Sequence, residues 1–247
     1  MLEVERIGEG PPIVFVHGSV VGASITWRKQ RELAERWELI LPNRPGFGKS
    51  PPLERNDFAL EAPMFAKLLG EGAHLVGHSY GSVIALLAAA DRPEAVRSLT
   101  VSEPGLLRLA EGRAEVEEMI AGGERLYGDP ESIPPEDFLR MFRSGVGSSH
   151  VTPDELPEWL AHGVDLLKRE RPPWEAEIPL DRLAAAGFPV LVVSGDHSPV
   201  FEAVCDDLAR SLSAERALIP GRGHTIPSTG APYNERLESF LTSAETA

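Results

Sequence analysis

The sequence predicts an α/β fold: a doubly wound, mostly parallel sheet with a helical cap inserted between two strands. Three observations predict it. Short, mainly apolar runs recur along the chain. Helical patterns alternate with them. One long stretch, 105–179, breaks that rhythm and holds no strand-like run.

The apolar runs lie at 13–16, 38–41, 73–76, 96–101, 189–193 and 216–219, and 2–7 adds a short edge strand. A strand that is apolar at successive positions has both faces covered, as in a parallel sheet packed between helices. Helix candidates at 26–35, 57–69, 80–91, 200–212 and 232–241 fill the gaps. Alternating strand and helix imply right-handed crossovers and a doubly wound sheet. In the 105–179 stretch, helical patterns near 111–127, 135–143 and 153–169 are punctuated by Pro130, Pro134, Pro135, Pro172 and Pro173. The expected organisation is a core of 1–104 and 180–247 with a cap, or lid, of 105–179.

Composition narrows the function. The 247 residues suit one domain with an insertion, and 42% hydrophobic residues allow a real core. A net charge of −14 repels phosphate backbones and anionic headgroups, so neither nucleic acid nor a membrane surface is an expected partner. The single cysteine, Cys205, excludes an intrachain disulfide and sits in an amphipathic pattern that favours a buried thiol. No signal-like apolar run opens the chain, and no stretch approaches a membrane span. A cytoplasmic protein is the expectation.

Gly77-His78-Ser79-Tyr80-Gly81 follows a strand and opens a helix, which is the strand–turn–helix setting of a G-x-S-x-G nucleophile elbow. So sharp a turn strains the serine backbone and needs glycine where side chains would strike the neighbouring helix and strand. It pushes Ser79 Oγ into the open above a helix N-terminus. Of seven histidines, His224 stands out within Gly221-Arg222-Gly223-His224 after the last strand. Its titration range suits taking a proton from a hydroxyl and handing it to a leaving group. His78 neighbours Ser79, but adjacent residues on a tight elbow point apart. It is expected to touch substrate rather than act as base.

With His17-Gly18-Ser19 and Asn43-Arg44-Pro45-Gly46-Phe47-Gly48-Lys49-Ser50 in order before the elbow and His224 after it, the chain resembles the α/β-hydrolase superfamily over nearly its whole length. The resemblance implies a hydrolase with Ser79 as nucleophile and His224 as base. It also implies oxyanion-hole amides at Ser19 and Tyr80, where losing one donor typically costs ~3 kcal/mol of transition-state stabilisation. His17 then reads as a loop-shaping residue.

Family members usually carry the acid after the 189–193 strand in a G-x-x-D pattern. Here that pattern reads Gly195-Asp196-His197-Ser198, with serine in the acidic position. A minority, resembling haloalkane dehalogenases and zearalenone-lactonase-like enzymes, places the acid one strand earlier. There this chain has Ser102-Glu103-Pro104, 24 residues beyond Ser79. Glu103 is therefore the expected acid and Asp196 the alternative.

These residues predict acyl transfer on a carboxylic ester or lactone of a small to medium uncharged molecule. A serine that attacked an alkyl halide or epoxide would form an ether that does not hydrolyse, which argues against dehalogenase and epoxide-hydrolase chemistry. The same three side chains also suit a carbon–carbon hydrolase or a perhydrolase. A non-catalytic ligand-binding protein on this fold is the remaining alternative. No cofactor and no metal are expected: zinc-ligand spacing and His-Glu-x-x-His are absent, and Asn43 stands where a phosphate loop needs its first glycine. In the lid, Trp159 and Trp174 are expected to contact substrate. Leu156, Leu160, Phe138, Met141 and Phe142 are further candidates for its inner face.

Overall fold

The computed structural model describes residues 1–246. Seven strands form one sheet: β1 (Val4–Ile7), β2 (Pro12–Val16), β3 (Glu38–Pro42), β4 (Ala73–His78), β5 (Val96–Ser102), β6 (Val190–Ser194) and β7 (Glu215–Leu218). Their order is β1-β3-β2-β4-β5-β6-β7. Only β1 runs antiparallel; every other pair is parallel. All the parallel strands therefore end at one edge, where the connecting loops meet.

Alternation along the strands explains the fully apolar runs. In β2, Val14 and Val16 face one apolar layer while Ile13 and Phe15 face the other. In β6, Val190 and Val192 divide from Leu191 and Val193 in the same way. Successive side chains on a strand point to opposite faces, so a strand between two helical layers must be apolar at every step. On the first face pack α2 (Phe58–Ala66), α3 (Tyr80–Asp91) and α8 (Pro199–Leu212); on the second pack α1 (Ala23–Thr26) and α9 (Ala231–Thr246). Helix α8 buries Cys205, and burial raises its thiol pKa.

The expected helix at 26–35 is a correction. The chain forms α1, then a separate 3-10 turn at Gln30–Glu35. Trp27, Gln30 and Leu33 are all buried. A spacing of three is the 3-10 period, not the 3.6 of an α-helix.

The 105–179 stretch holds no strand among the described residues. It holds α4 (Ala114–Gly128), α5 (Pro135–Gly145) and α6 (Glu158–Lys168). Leu126, Phe138, Leu139, Leu160, Val164 and Leu167 join Val20 of the core in an apolar cluster of their own. A short helix the periodicity did not reveal, α7 (Leu180–Ala184), precedes β6. No helix among the described residues is long and apolar enough to cross a membrane.

Candidate active site

The site is built where three neighbouring strands end. Each leaves the sheet through a residue other than glycine with positive φ: Ser79 after β4 (φ 55°), Glu103 after β5 (φ 42°) and Asp196 after β6 (φ 51°). Side chains rarely adopt this left-handed conformation, and residues held there cluster at functional sites. At the first of the three, Ser79 N–H donates to Ser102 O at 2.8 Å. The glycines around it follow from contact. A Cβ on Gly81 would lie 2.2 Å from Val16 O, and one on Gly77 would lie 2.7 Å from Gly81 O. Neither backbone can yield without moving a strand or α3.

Ser79, His224 and Glu103 are brought together. His224 Nε2 lies 2.8 Å from Ser79 Oγ, and His224 Nδ1 lies 2.6 Å from Glu103 Oε2. An ionised carboxylate only accepts, so Nδ1 carries the proton and Nε2 is free to accept from the serine hydroxyl. Glu103 is fully buried. Burial alone would raise its pKa, but hydrogen bonds and positive charge from His197 and His224 outweigh it and hold the carboxyl at about 2. Gly195 N–H donates to the other oxygen, Oε1, at 2.7 Å.

Asp196 is not brought to the site. Its side chain is exposed, and its backbone N–H is directed to Glu202 Oε1 at 3.0 Å. The left-handed turn at this residue sends the side chain outward while turning Gly195 and His197 in towards Glu103.

Gly18 packs against Ser79: a Cβ there would sit 3.0 Å from Ser79 Cβ. This places the Ser19 backbone beside the elbow. Among the described residues, the Ser19 and Tyr80 amides donate to no other protein group. His17 is buried below them, donating from Nδ1 to Gly18 O (2.9 Å) and accepting from Arg44 N–H at Nε2 (2.9 Å). Burial, with Arg44 nearby, lowers its pKa to about 3, so it shapes the loop as a neutral ring. The Ser19 hydroxyl donates to Glu170 at 2.5 Å. Glu170 and Glu61 flank the buried Arg44 guanidinium at 2.8 Å each, which ties the end of the 105–179 segment to the core. Burial would lower the Arg44 pKa, but the two carboxylates raise it.

A cavity of about 760 Å³ opens over Ser79. Ser19, Tyr80 and His224 line its floor, and Met119, Tyr127, Phe142 and Trp174 are among its apolar walls. Phe201, also in the lining, stacks against His224 with ring centres 4.7 Å apart. Trp174, Met141 and Phe142 lie in the lining, but Trp159 does not: it is 55% exposed. It falls on the outer face of α6, whose buried side is set by Leu160, Gly163, Val164 and Leu167. Leu156, Leu160 and Phe138 pack within the segment's own apolar cluster. His78 is also absent from the lining. Its Nε2–H donates to the His224 carbonyl at 2.7 Å, so it braces the histidine loop from below.

Sequence reasoning missed His197, Glu170 and Phe201. His197 lies inside the Gly195-Asp196-His197-Ser198 stretch, where the family pattern points to an acid alone. Its Nε2–H donates to Glu103 Oε2 at 3.0 Å. Placing the acid at 103 makes the facing loop a source of partners for it, and this was the available signal. Glu170 has no local motif, because its meaning depends on Arg44 being 126 positions away in sequence. One side-chain nitrogen or oxygen from each of Glu103, His197 and His224 lies within 4.8 Å of the other two. Two hydrogen bonds to one carboxylate oxygen account for that crowding, and no residue is assigned to a metal.

The model of the alpha/beta hydrolase family matches residues 13–236, and the chain belongs to that family. Over 166 residues the chain is 31% identical to pimeloyl-(acyl-carrier protein) methyl ester esterase of Aeromonas salmonicida, a match covering 65% of each chain. The chain thus spans somewhat less than two thirds of that relative's length. It is also 36% identical, over 97% of its own length, to a segment making up 12% of polyketide synthase ThaQ of Burkholderia thailandensis. Among solved structures, an alpha/beta hydrolase from Sphaerobacter thermophilus superposes with a TM-score of 0.68 at 24% identity, covering 97% of this chain and 96% of the other. At that identity the likeness shows the fold alone.

Proposed function

We propose that this protein is a serine hydrolase that cleaves a carboxylic ester or lactone of a small to medium uncharged molecule through an acyl-enzyme. The observation that carries the reading is the unbroken relay from Ser79 Oγ through His224 to Glu103, at 2.8 and 2.6 Å. His224 Nε2 takes the serine proton as Oγ attacks the carbonyl carbon. The Ser19 and Tyr80 amides receive the negative oxygen, where prearranged donors act without reorganising. Glu103 balances the imidazolium and keeps the ring in the required tautomer. The tetrahedral intermediate collapses, the alcohol leaves with the proton from His224, and the acyl group stays on Ser79. Water then gives its proton to His224, attacks the acyl carbon and releases the acid, with the proton returning to Ser79.

The 105–179 segment serves as the lid, with Trp174, Met141 and Phe142 shaping the acyl or alcohol site. The mostly apolar walls support an uncharged substrate. The likeness to an esterase of acyl-carrier-bound methyl esters and to part of a polyketide synthase supports a substrate with an acyl chain. The acidic charge and the single buried cysteine suit a cytoplasmic setting.

A panel of p-nitrophenyl esters of increasing chain length, alongside lactones of matching size, tests the reading. Turnover by the parent protein is expected to vanish in Ser79→Ala while the folded circular-dichroism spectrum remains. Turnover that survives in Ser79→Ala removes the acyl-enzyme.

A further inference from the structure

We infer that His197 is a positioning residue that shares the Glu103 carboxylate with His224 and sets how strongly that carboxylate supports the base. The inference rests on the proposed reaction and assigns a residue to it. Two imidazoles converge on one oxygen: Glu103 Oε2 accepts from His224 at 2.6 Å and from His197 at 3.0 Å. The carboxylate is sealed from solvent, whereas the His197 side chain keeps 14% exposure. His197 is thus the most exposed member of the trio, the His224 side chain keeping 6%. The 146–149 loop of the helical segment closes over it. A Cβ on Gly147 would lie 2.6 Å from His197 Nδ1, and the same loop bridges Gly223 beside the base through Ser148.

The chemistry follows from acceptor sharing. A neutral His197 donates one N–H and steadies the carboxylate while leaving its charge intact. A protonated His197 neutralises much of that charge, and Glu103 then offers less to the imidazolium that His224 becomes during reaction. The groups around His197 are Glu103 from the end of β5, His224 from the loop after β7, and Glu202 from α8. The 146–149 loop presents backbone at Gly147. Glu202 is itself paired with Arg216 at 2.6 Å. The hydrogen bond to Glu103 raises the His197 pKa above its ordinary value, which favours the protonated ring. Both imidazoles lean on one carboxylate oxygen, so activity on the acid side should respond to the proton on His197 as well as to the relay itself.

The test uses His197→Gln, which keeps an N–H donor but cannot titrate, and His197→Phe, which removes the donor. Both are assayed from pH 5 to 9 with an uncharged ester, next to Ser79→Ala. For the parent protein, log kcat/KM is expected to fall on the acid side with a slope that exceeds one over part of the limb. His197→Gln is expected to show a slope of one and to keep kcat at pH 8. His197→Phe is expected to lose kcat about tenfold, the effect of one hydrogen bond to a charged group, with KM within about twofold. The low-field proton resonance of His224 Nδ1–H reads the same contact without turnover and should shift in both variants. An acid limb in His197→Gln that overlays the parent's, or full kcat in His197→Phe, would overturn the assignment. Retained turnover in Ser79→Ala would instead defeat the proposed reaction, and the resonance would still report on Glu103.

Discussion

Replacing Glu103 with glutamine tests the acid assignment with almost no change in volume. In the parent protein both carboxylate oxygens accept: Oε1 from Gly195 N–H, and Oε2 from His224 and His197. A glutamine has one oxygen and one NH₂. If its oxygen faces the histidines, its NH₂ opposes the Gly195 N–H at a separation near 2.7 Å. If the NH₂ faces them, His224 must accept at Nδ1 and its proton moves to Nε2. A protonated Nε2 cannot accept from Ser79. Either way a buried donor loses its acceptor, costing about 1–3 kcal/mol of stability. The wrong tautomer removes roughly four orders of magnitude from kcat, judged by the corresponding change in another serine-hydrolase triad. The control is Asp196→Asn, because asparagine tolerates the left-handed φ of 51° where alanine would add strain. The assay is kcat and KM on a short p-nitrophenyl ester with urea unfolding in parallel. Asp196→Asn should stay within about twofold of the parent, an exposed carboxylate having no part in the relay. A larger loss in Asp196→Asn than in Glu103→Gln would refute the reasoning.

Further predictions concern the scaffold. Gly81→Ala should abolish activity and lower the melting temperature, because the new methyl meets Val16 O at 2.2 Å; a calorimetric scan unchanged from the parent would show that the elbow can relax. Arg44→Met should destabilise by about 3–5 kcal/mol, since Glu61 and Glu170 are left buried without their cation, and should lower Tm by about 10 °C. Adding Glu170→Gln should recover part of that loss, and a double variant no more stable than Arg44→Met would contradict the network. Burial lowers the pKa of His17 to about 3 and of His74 and His78 to about 4. These rings are neutral when folded but take up protons near 6.5 when unfolded. Their share of stability is therefore present above 6.5 and is lost as pH falls towards 4, at up to ~1.4 kcal/mol per pH unit for each. Unfolding titrations between pH 7 and 4 check this, and a flat profile would contradict it.

The sheet was legible because its chemistry is local. A strand covered on both faces is apolar at nearly every step, so β2 and β6 announce themselves without knowledge of their neighbours. Ser79 was legible for a similar reason, since the elbow's glycines lie within two residues of it. His224 and Glu103 were placed through the resemblance and its spacing, and their side chains do converge on the serine. What escaped were pairings made only in three dimensions. Glu170 acquires its role from Arg44 and Ser19, and His197 from a carboxylate 94 positions earlier. Trp159 and Trp174 have the same composition signal, yet Trp159 falls on the outer face of α6 while Trp174, in the turn Pro173–Glu175, is buried. The 26–35 segment misled because a three-residue burial period was read as a helical one.

The central claim is that Ser79 is made nucleophilic by this relay, and covalent capture tests it most directly. The protein is treated with a fluorophosphonate probe, digested, and read by mass spectrometry. One adduct on the peptide bearing Ser79 is predicted, formed far more slowly in Glu103→Gln and not at all in Ser79→Ala. An unmodified Ser79 in folded protein, or labelling that ignores the loss of Glu103, would contradict the account.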